Sequence, residues 1–156
     1  MNYLFDTNII SEVRKGAKCD SNVAAWYDSI DDADIYLSVL TLGELRKGVE
    51  RARASDPTQT RALEKWLTTV AECFSERILT VDQAVADEWG RMGAKRPVST
   101  VNSLLAATAK VHGMTLAMRN VSDVADLGAD LFNHTLSLAL SIRTAPRRGL
   151  RPAANR

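Results

Sequence analysis

Residues 3–10 read YLFDTNII, an apolar run that is interrupted once by three polar residues. The apolar residues 3–5 are typical of a short buried strand. Residues 6–8 supply side chains suited to capping a helix that continues through the two isoleucines. This stretch therefore predicts a strand followed at once by a helix, with Asp6 at the junction.

The same alternation of strand and helix recurs along the whole chain. Further strands are predicted at residues 35–40, 78–81, 115–118 and 131–132, with helical patterns between them. Such repetition indicates right-handed crossovers and a sheet that is covered by helices on both faces. We predict an α/β fold, a three-layer α/β/α sandwich with a central, mostly parallel sheet. It would occupy residues 1–135, and residues 136–156 would form a basic, flexible C-terminal tail.

The charge of the chain is unevenly distributed. The net charge of the 156 residues is +1, but five arginines and no acid lie from Arg143 onward. Removing those five charges leaves residues 1–142 at −4, which argues against a large cationic surface that grips nucleic acid through counterion release alone. A local basic groove is still compatible with this balance.

Cysteine usage and hydropathy bear on the cellular compartment. Cys19 and Cys73 have neither a metal-binding spacing nor a disulfide pattern, which favours free thiols in a reducing compartment. The apolar stretch 136–142 is much shorter than the roughly 20 residues of a membrane-spanning helix. We therefore expect a cytoplasmic protein without a membrane segment.

Four polar residues lie where such folds bind ligands, beyond the carboxyl ends of the strands. Asp6 follows the first strand, Glu44 lies just after the second, and Asp123 follows the fourth. Asn102 lies in the first turn of the preceding helix. Oxygen ligands of this kind suit Mg²⁺ or Mn²⁺, which can activate water and neutralise charge on a phosphodiester.

Each of these residues also has a purely local interpretation. Asp6 and Asp123 could serve only as helix caps, and Asn102 could bond to its own helix terminus. Glu44 follows Thr41 by three residues, which is the spacing of a capping box. Taken one at a time, the four residues leave both interpretations open.

Four longer motifs resemble those of PIN-domain proteins of the VapC-like and FitB-like groups. They occur in the family's order and span about residues 2–133. The motifs are LFDTNIISE at residues 4–12, LSVLTLGELRKG at 37–48, SLLAATA at 103–109 followed by His112-Gly113, and RNVSD at 119–123.

The resemblance implies a ribonuclease that uses Mg²⁺ or Mn²⁺ and acts as the toxin of a type II toxin–antitoxin pair. It also implies a VapB-like or FitA-like antitoxin as partner, a homodimer, and a hetero-oligomer of toxin with antitoxin. Asp6 and Glu44 match the first two metal ligands. The last acidic ligand corresponds to Asn120 or Asp123, depending on the subgroup.

Asn102 departs from the family pattern, because the family usually has aspartate there. An amide keeps an oxygen ligand but removes one negative charge, so weaker metal binding and slower hydrolysis are expected. We further predict that Asn8, Arg46 and Arg119 contact the RNA.

Two alternatives to an active ribonuclease stay open at this point. The first is a catalytically inactive PIN-like module that binds an antitoxin or RNA, which Asn102 favours. The second is a haloacid-dehalogenase-like phosphatase with Asp6 as nucleophile. Such enzymes usually carry a second aspartate two residues later, and here that residue is Asn8.

Overall fold

The computed structural model describes residues 1–94 and 96–133. Among these residues, strands and α-helices alternate as the sequence predicts. The strands are β1 (Tyr3–Phe5), β2 (Ile35–Ser38), β3 (Ile78–Leu79), β4 (Thr115–Ala117) and β5 (Asp130–Phe132). The helices are α1 (Thr7–Arg14), α2 (Ser21–Ser29), α3 (Val39–Arg53), α4 (Pro57–Cys73), α5 (Gln83–Gly93) and α6 (Thr100–Val111).

The five strands form one sheet in the order β3-β2-β1-β4-β5. Every neighbouring pair is parallel, and Tyr3 is in register with Ile35 on one side and with Thr115 on the other. The central strand β1 is therefore flanked by β2 and β4, which come from different parts of the chain. In open parallel sheets, ligands bind where the strand order reverses direction, and Asp6 lies at that point.

Alternating side chains of the strands supply two separate cores. Phe5 and Leu37 contribute to the core beneath α1–α4, whereas Leu4 and Leu116 contribute to the core beneath α5 and α6. All four side chains are fully buried. Because successive residues of a strand point to opposite faces, a strand as short as β1 can serve both cores. The predicted three-layer α/β/α sandwich is confirmed.

Strand boundaries differ from the sequence prediction at several ends. The second strand was predicted to run to residue 40, but it ends at Ser38 and α3 begins at Val39. The Ser38 side chain accepts a hydrogen bond from the backbone N–H of Leu40 at 3.1 Å, so this serine is the cap that starts the helix. The third and fourth strands are also shorter than predicted, ending at Leu79 and Ala117.

The predicted tail at residues 136–156 lies outside the described residues, as does the predicted domain end at residue 135. No helix in the part of the chain that the structure describes is long and apolar enough to cross a membrane.

Candidate functional site

Asp6 is a buried carboxylate at the carboxyl end of β1. It caps α1, since its Oδ1 accepts the backbone N–H of Ile9 at 3.0 Å, and only 5% of the residue is exposed. Asp6 therefore does act as a helix cap, whatever further role it has. Its Oδ2 has a long contact of 3.5 Å with the Asn8 amide, and the backbone N–H of Arg119 also donates to the carboxylate.

The environment of Asp6 disfavours its charged form. The pKa of Asp6 is raised to about 6, mainly by burial and to a smaller degree by the nearby Glu44 charge. Hydrogen bonds from Ile9, Arg119 and Asn8 act in the opposite direction without compensating the burial. A helix cap alone does not require such a costly carboxylate, because asparagine or serine caps a helix equally well.

Glu44 belongs to α3 and lies close enough to Asp6 for its charge to act on that carboxyl group. Because α3 begins at Val39, Glu44 lies in the second helical turn, and the capping-box interpretation is wrong. Its Oε2 instead accepts a hydrogen bond of 2.7 Å from the Thr7 hydroxyl. The buried Thr41 hydroxyl donates to the carbonyl of Phe5 at 3.3 Å, which ties α3 to β1 beside the site.

A second polar group surrounds Asp123 in the loop after β4. Asn102, in the first turn of α6, donates from Nδ2 to Asp123 Oδ2 at 3.2 Å. Asn120 donates to the same oxygen at 3.0 Å, and the Ser122 hydroxyl donates to Asn120 Oδ1 at 2.7 Å. Asn102 therefore bonds across to another element, rather than to its own helix terminus. Asp123 ends a short 3-10 turn, Val121–Asp123.

The structure thus assembles the predicted residues as two groups. One contains Asp6 and Glu44, and the other contains Asn102, Asn120 and Asp123. The backbone N–H of Arg119 joins them, since it donates to Asp6 one residue before Asn120. Within residues 1–94 and 96–133, no three acidic, histidine or cysteine side chains lie together as a group that could hold a metal ion.

The residues predicted to contact RNA lie in different surroundings. Asn8 and Arg119 are exposed next to Asp6. Arg46 is on the outer side of α3, where its guanidinium forms ion pairs with Glu64 of α4 at 2.7 Å and with Glu50 at 3.6 Å. Its predicted contact with RNA stays a prediction.

Sequence reasoning missed two residues that the structure connects to these groups. Thr7 was considered only as part of a cap, although its hydroxyl bonds to Glu44. Arg96 had no predicted role, yet its guanidinium bonds to the loop that carries Asp123. Both contacts join distant segments of the chain, and only the adjacency of Thr7 to Asp6 could have indicated one of them.

A model of the PIN domain family matches residues 3–125, which is most of the chain. The chain belongs to the PIN domain family. Membership agrees with the four motifs and with the fold. It also argues against the phosphatase alternative, which usually needs a second aspartate at the position of Asn8.

Relatives of this PIN domain include proteins named as a toxin and as ribonucleases. It is 34% identical over 136 residues to Toxin FitB of Neisseria gonorrhoeae, covering 83% of this chain and 96% of that protein. It is 30% identical over 135 residues to VapC ribonuclease Y4jK of Sinorhizobium fredii, covering 83% of this chain and 95% of the relative.

Solved structures give the same relationship. The crystal structure of FitAcB from Neisseria gonorrhoeae superposes on this PIN domain with a TM-score of 0.79 at 30% identity, covering 86% of this chain and 99% of the other. A structure of FitAB bound to an IR36 DNA fragment superposes with a TM-score of 0.78 at 29% identity, covering 88% and 98% respectively.

PIN-domain ribonucleases generally use divalent metal ions, and the first polar group of this chain fits such an ion. Asp6 and Glu44 bring two carboxylates together, and the Glu44 charge adds to the cost of ionising Asp6. A divalent cation would remove that cost, and Mg²⁺ is commonly held by one or two carboxylates with retained waters and substrate phosphates. Asp6 and Glu44 are therefore the residues best suited to hold the ion.

Proposed function

We propose that this chain is a metal-dependent endoribonuclease that acts as the toxin of a VapBC-like type II toxin–antitoxin pair. The observation that carries the proposal is the juxtaposition of buried Asp6 with Glu44 at the central strand of a PIN domain. Similarity to Toxin FitB and to a VapC ribonuclease over more than four fifths of the chain supports it. Such a protein would act in the cytoplasm, where RNA and antitoxin are found.

In this proposal, Asp6 and Glu44 hold Mg²⁺ or Mn²⁺. When bound, such an ion supplies charge neutralisation for the scissile phosphate and acidity for the attacking water. The reaction adds water across a P–O bond of the RNA. Thr7 orients the Glu44 carboxylate, while α1 and the Arg119 N–H hold Asp6 in place.

The exposed residues beside the site would position the RNA. Arg119 places a positive charge one residue before the second polar group, and its charge also interacts with Glu12. Asn8 offers amide hydrogen bonds next to Asp6. Arg46 could contact a phosphate only by giving up its ion pairs with Glu50 and Glu64, and these exposed pairs are weak.

The partners follow from the same relatives. This PIN domain superposes on 99% of the matched chain in the FitAcB structure and on 98% of the matched chain in the FitAB structure. We propose a FitA-like or VapB-like antitoxin as partner and a homodimer within the complex.

The purified chain is expected to cleave RNA when Mn²⁺ or Mg²⁺ is added and to stop when EDTA is added. Its production in a bacterial host is expected to arrest growth. The measurement is gel analysis of a 5′-labelled RNA, with an Asp6→Asn preparation as the control for a contaminating nuclease. Equal cleavage by both preparations, or cleavage in EDTA, would contradict the proposal.

A binding module without activity is the second candidate, and the bond between Asn102 and Asp123 favours it. It predicts a protein that shifts labelled RNA in a gel, or binds an antitoxin, but cuts no RNA in Mn²⁺. Growth arrest that persists in the Asp6→Asn protein would support this candidate, because binding does not require the ion.

Removing the hydroxyl of Thr7 is expected to slow cleavage about threefold to tenfold, because one typical hydrogen bond contributes about 0.5–1.5 kcal/mol. Thr7→Val keeps the shape of the side chain but leaves Glu44 without its 2.7 Å donor. Thr7→Ser retains a hydroxyl and is the matched control. The measurement is the single-turnover rate at saturating Mn²⁺, and equal rates for the valine and serine variants would exclude an orienting role.

A further inference from the structure

One carboxylate oxygen of Asp123 accepts two hydrogen bonds from side chains of the protein itself. Two amide N–H donors, from Asn102 and Asn120, share its Oδ2 at 3.2 and 3.0 Å. The Ser122 hydroxyl holds the Asn120 amide oxygen, which fixes the orientation of that amide. Asn102 therefore faces Asp123 as a donor of hydrogen bonds.

Arg96 adds a positive charge to the same loop. It forms a bidentate ion pair with Asp126, with Nε and Nη2 at 2.7 and 2.6 Å from the two oxygens. Its Nη2 also donates to the backbone carbonyl of Asp123 at 2.9 Å, and its charge interacts with the Asp123 carboxylate. The segment between α5 and α6 is thereby attached to the loop after β4.

Aspartate at position 102 would reverse this arrangement. Two carboxylates would then face each other at hydrogen-bonding distance, and like charges so close cannot both ionise without a cation or a proton between them. An amide donates to the carboxylate and carries no charge, so no cation is needed. The residue at position 102 decides whether the loop depends on a metal ion.

We propose that Arg96, Asn102 and Asn120 replace a divalent cation at Asp123. Asp123 is then an anchor of the loop that works without a metal ion, and the ion of the active site is held through Asp6 and Glu44. Arg96 is a positioning residue in this scheme, because it acts through the backbone of Asp123. The part of the proposal that concerns the active-site ion rests on the proposed function.

The first test compares metal binding by two charge-removing variants. Thermal unfolding is followed during titration with MnCl₂, without RNA. The Mn²⁺ concentration that gives half of the maximal increase in Tm is expected to be more than about tenfold higher for Asp6→Asn than for wild type. Asp123→Asn is expected to change it by less than about twofold. Loss of the Mn²⁺ response in the Asp123→Asn protein to the same degree as in Asp6→Asn would overturn the proposal.

The second test measures thermal unfolding without RNA, first in EDTA and then with Mn²⁺. Asn102→Asp is expected to lower the Tm by about 3 °C or more, because two carboxylates then face each other. Adding Mn²⁺ should return the Tm of this variant towards the wild-type value. The exchanged pair Asn102→Asp with Asp123→Asn should unfold near the wild-type Tm in EDTA, since donor and acceptor have only changed places. Wild-type stability of Asn102→Asp in EDTA would overturn the proposal.

Arg96→Gln tests the role of the guanidinium in the same assay. It is expected to lower the Tm in EDTA and to weaken cleavage, and Arg96→Lys should restore part of each. Arg91→Gln is the matched control, because the ion pairs of Arg91 are with Asp87 and Glu88 of its own helix, α5. Equal effects of the two glutamine variants would contradict the assignment of Arg96.

These outcomes separate the inference from the proposed function. A protein that cuts no RNA but shows the expected differences in EDTA contradicts the proposed function and supports the anchor at Asp123. A protein that cuts RNA but loses its Mn²⁺ response on Asp123→Asn supports the function and overturns the inference.

Discussion

Replacing Asp6 by Asn, or Glu44 by Gln, is expected to lower the rate of RNA cleavage by more than about 100-fold. Each substitution keeps the size of the side chain and removes one of the two charges that would hold the ion. Asparagine still caps a helix, so α1 should keep its start and the loss reports on the carboxylate charge. The measurement is the single-turnover rate in Mn²⁺.

Asp82→Asn is a matched control for Asp6→Asn. Asp82 also follows a strand and also caps a helix, since its Oδ1 accepts the backbone N–H of Val85 at 2.9 Å. Asp82 lies three residues after the end of β3, at the start of α5. Cleavage by Asp82→Asn should stay within about twofold of wild type. A rate for Asp6→Asn within about tenfold of wild type would contradict the assignment of Asp6 as a ligand.

The second large effect is on the stability of the metal-free protein. The pKa of Asp6 is raised from 3.8 to about 6, so the folded state holds this proton more tightly than the unfolded state does. The contribution of Asp6 to the free energy of unfolding should therefore fall as pH rises from about 4 to about 6, and stay low above that. The total change is about 2–3 kcal/mol.

Comparison with Asp6→Asn isolates this contribution from those of other carboxylates. The pKa values of Glu12, Glu50, Glu64 and Glu88 are lowered by their cationic neighbours, so these groups add stability as pH rises and oppose the effect of Asp6. In urea unfolding with EDTA, the free energy of unfolding of Asp6→Asn should rise relative to that of wild type between pH 4 and pH 7. A difference that does not vary with pH would contradict the prediction.

These two predictions describe one property of Asp6. A buried carboxylate beside another acid destabilises the fold when no cation is present, and the same arrangement favours the binding of a cation. Mn²⁺ should therefore stabilise the wild type at pH 7 and leave Asp6→Asn nearly unchanged. Residues at functional sites commonly cost stability in this way.

Much of the fold could be predicted from local patterns. The run before Asp6 predicts β1, and the residues that alternate between the two cores follow from the period of a strand. The predicted ends of the strands were less accurate. Residues 39 and 40 are apolar and β-branched or bulky enough for a strand, but the Ser38 side chain caps a helix at that point. One side-chain hydrogen bond outweighed the propensity of two residues.

The sequence by itself determined the family motifs, the strand–helix alternation, and the position of Asp6 and Glu44 near the ends of neighbouring strands. Only the tertiary structure decided which partners these polar side chains meet. The bond from Thr7 to Glu44 joins residues 37 positions apart, and the bond from Asn102 to Asp123 joins residues 21 apart. Local patterns extend over a few residues, whereas these contacts depend on how α3 and α6 pack against the sheet.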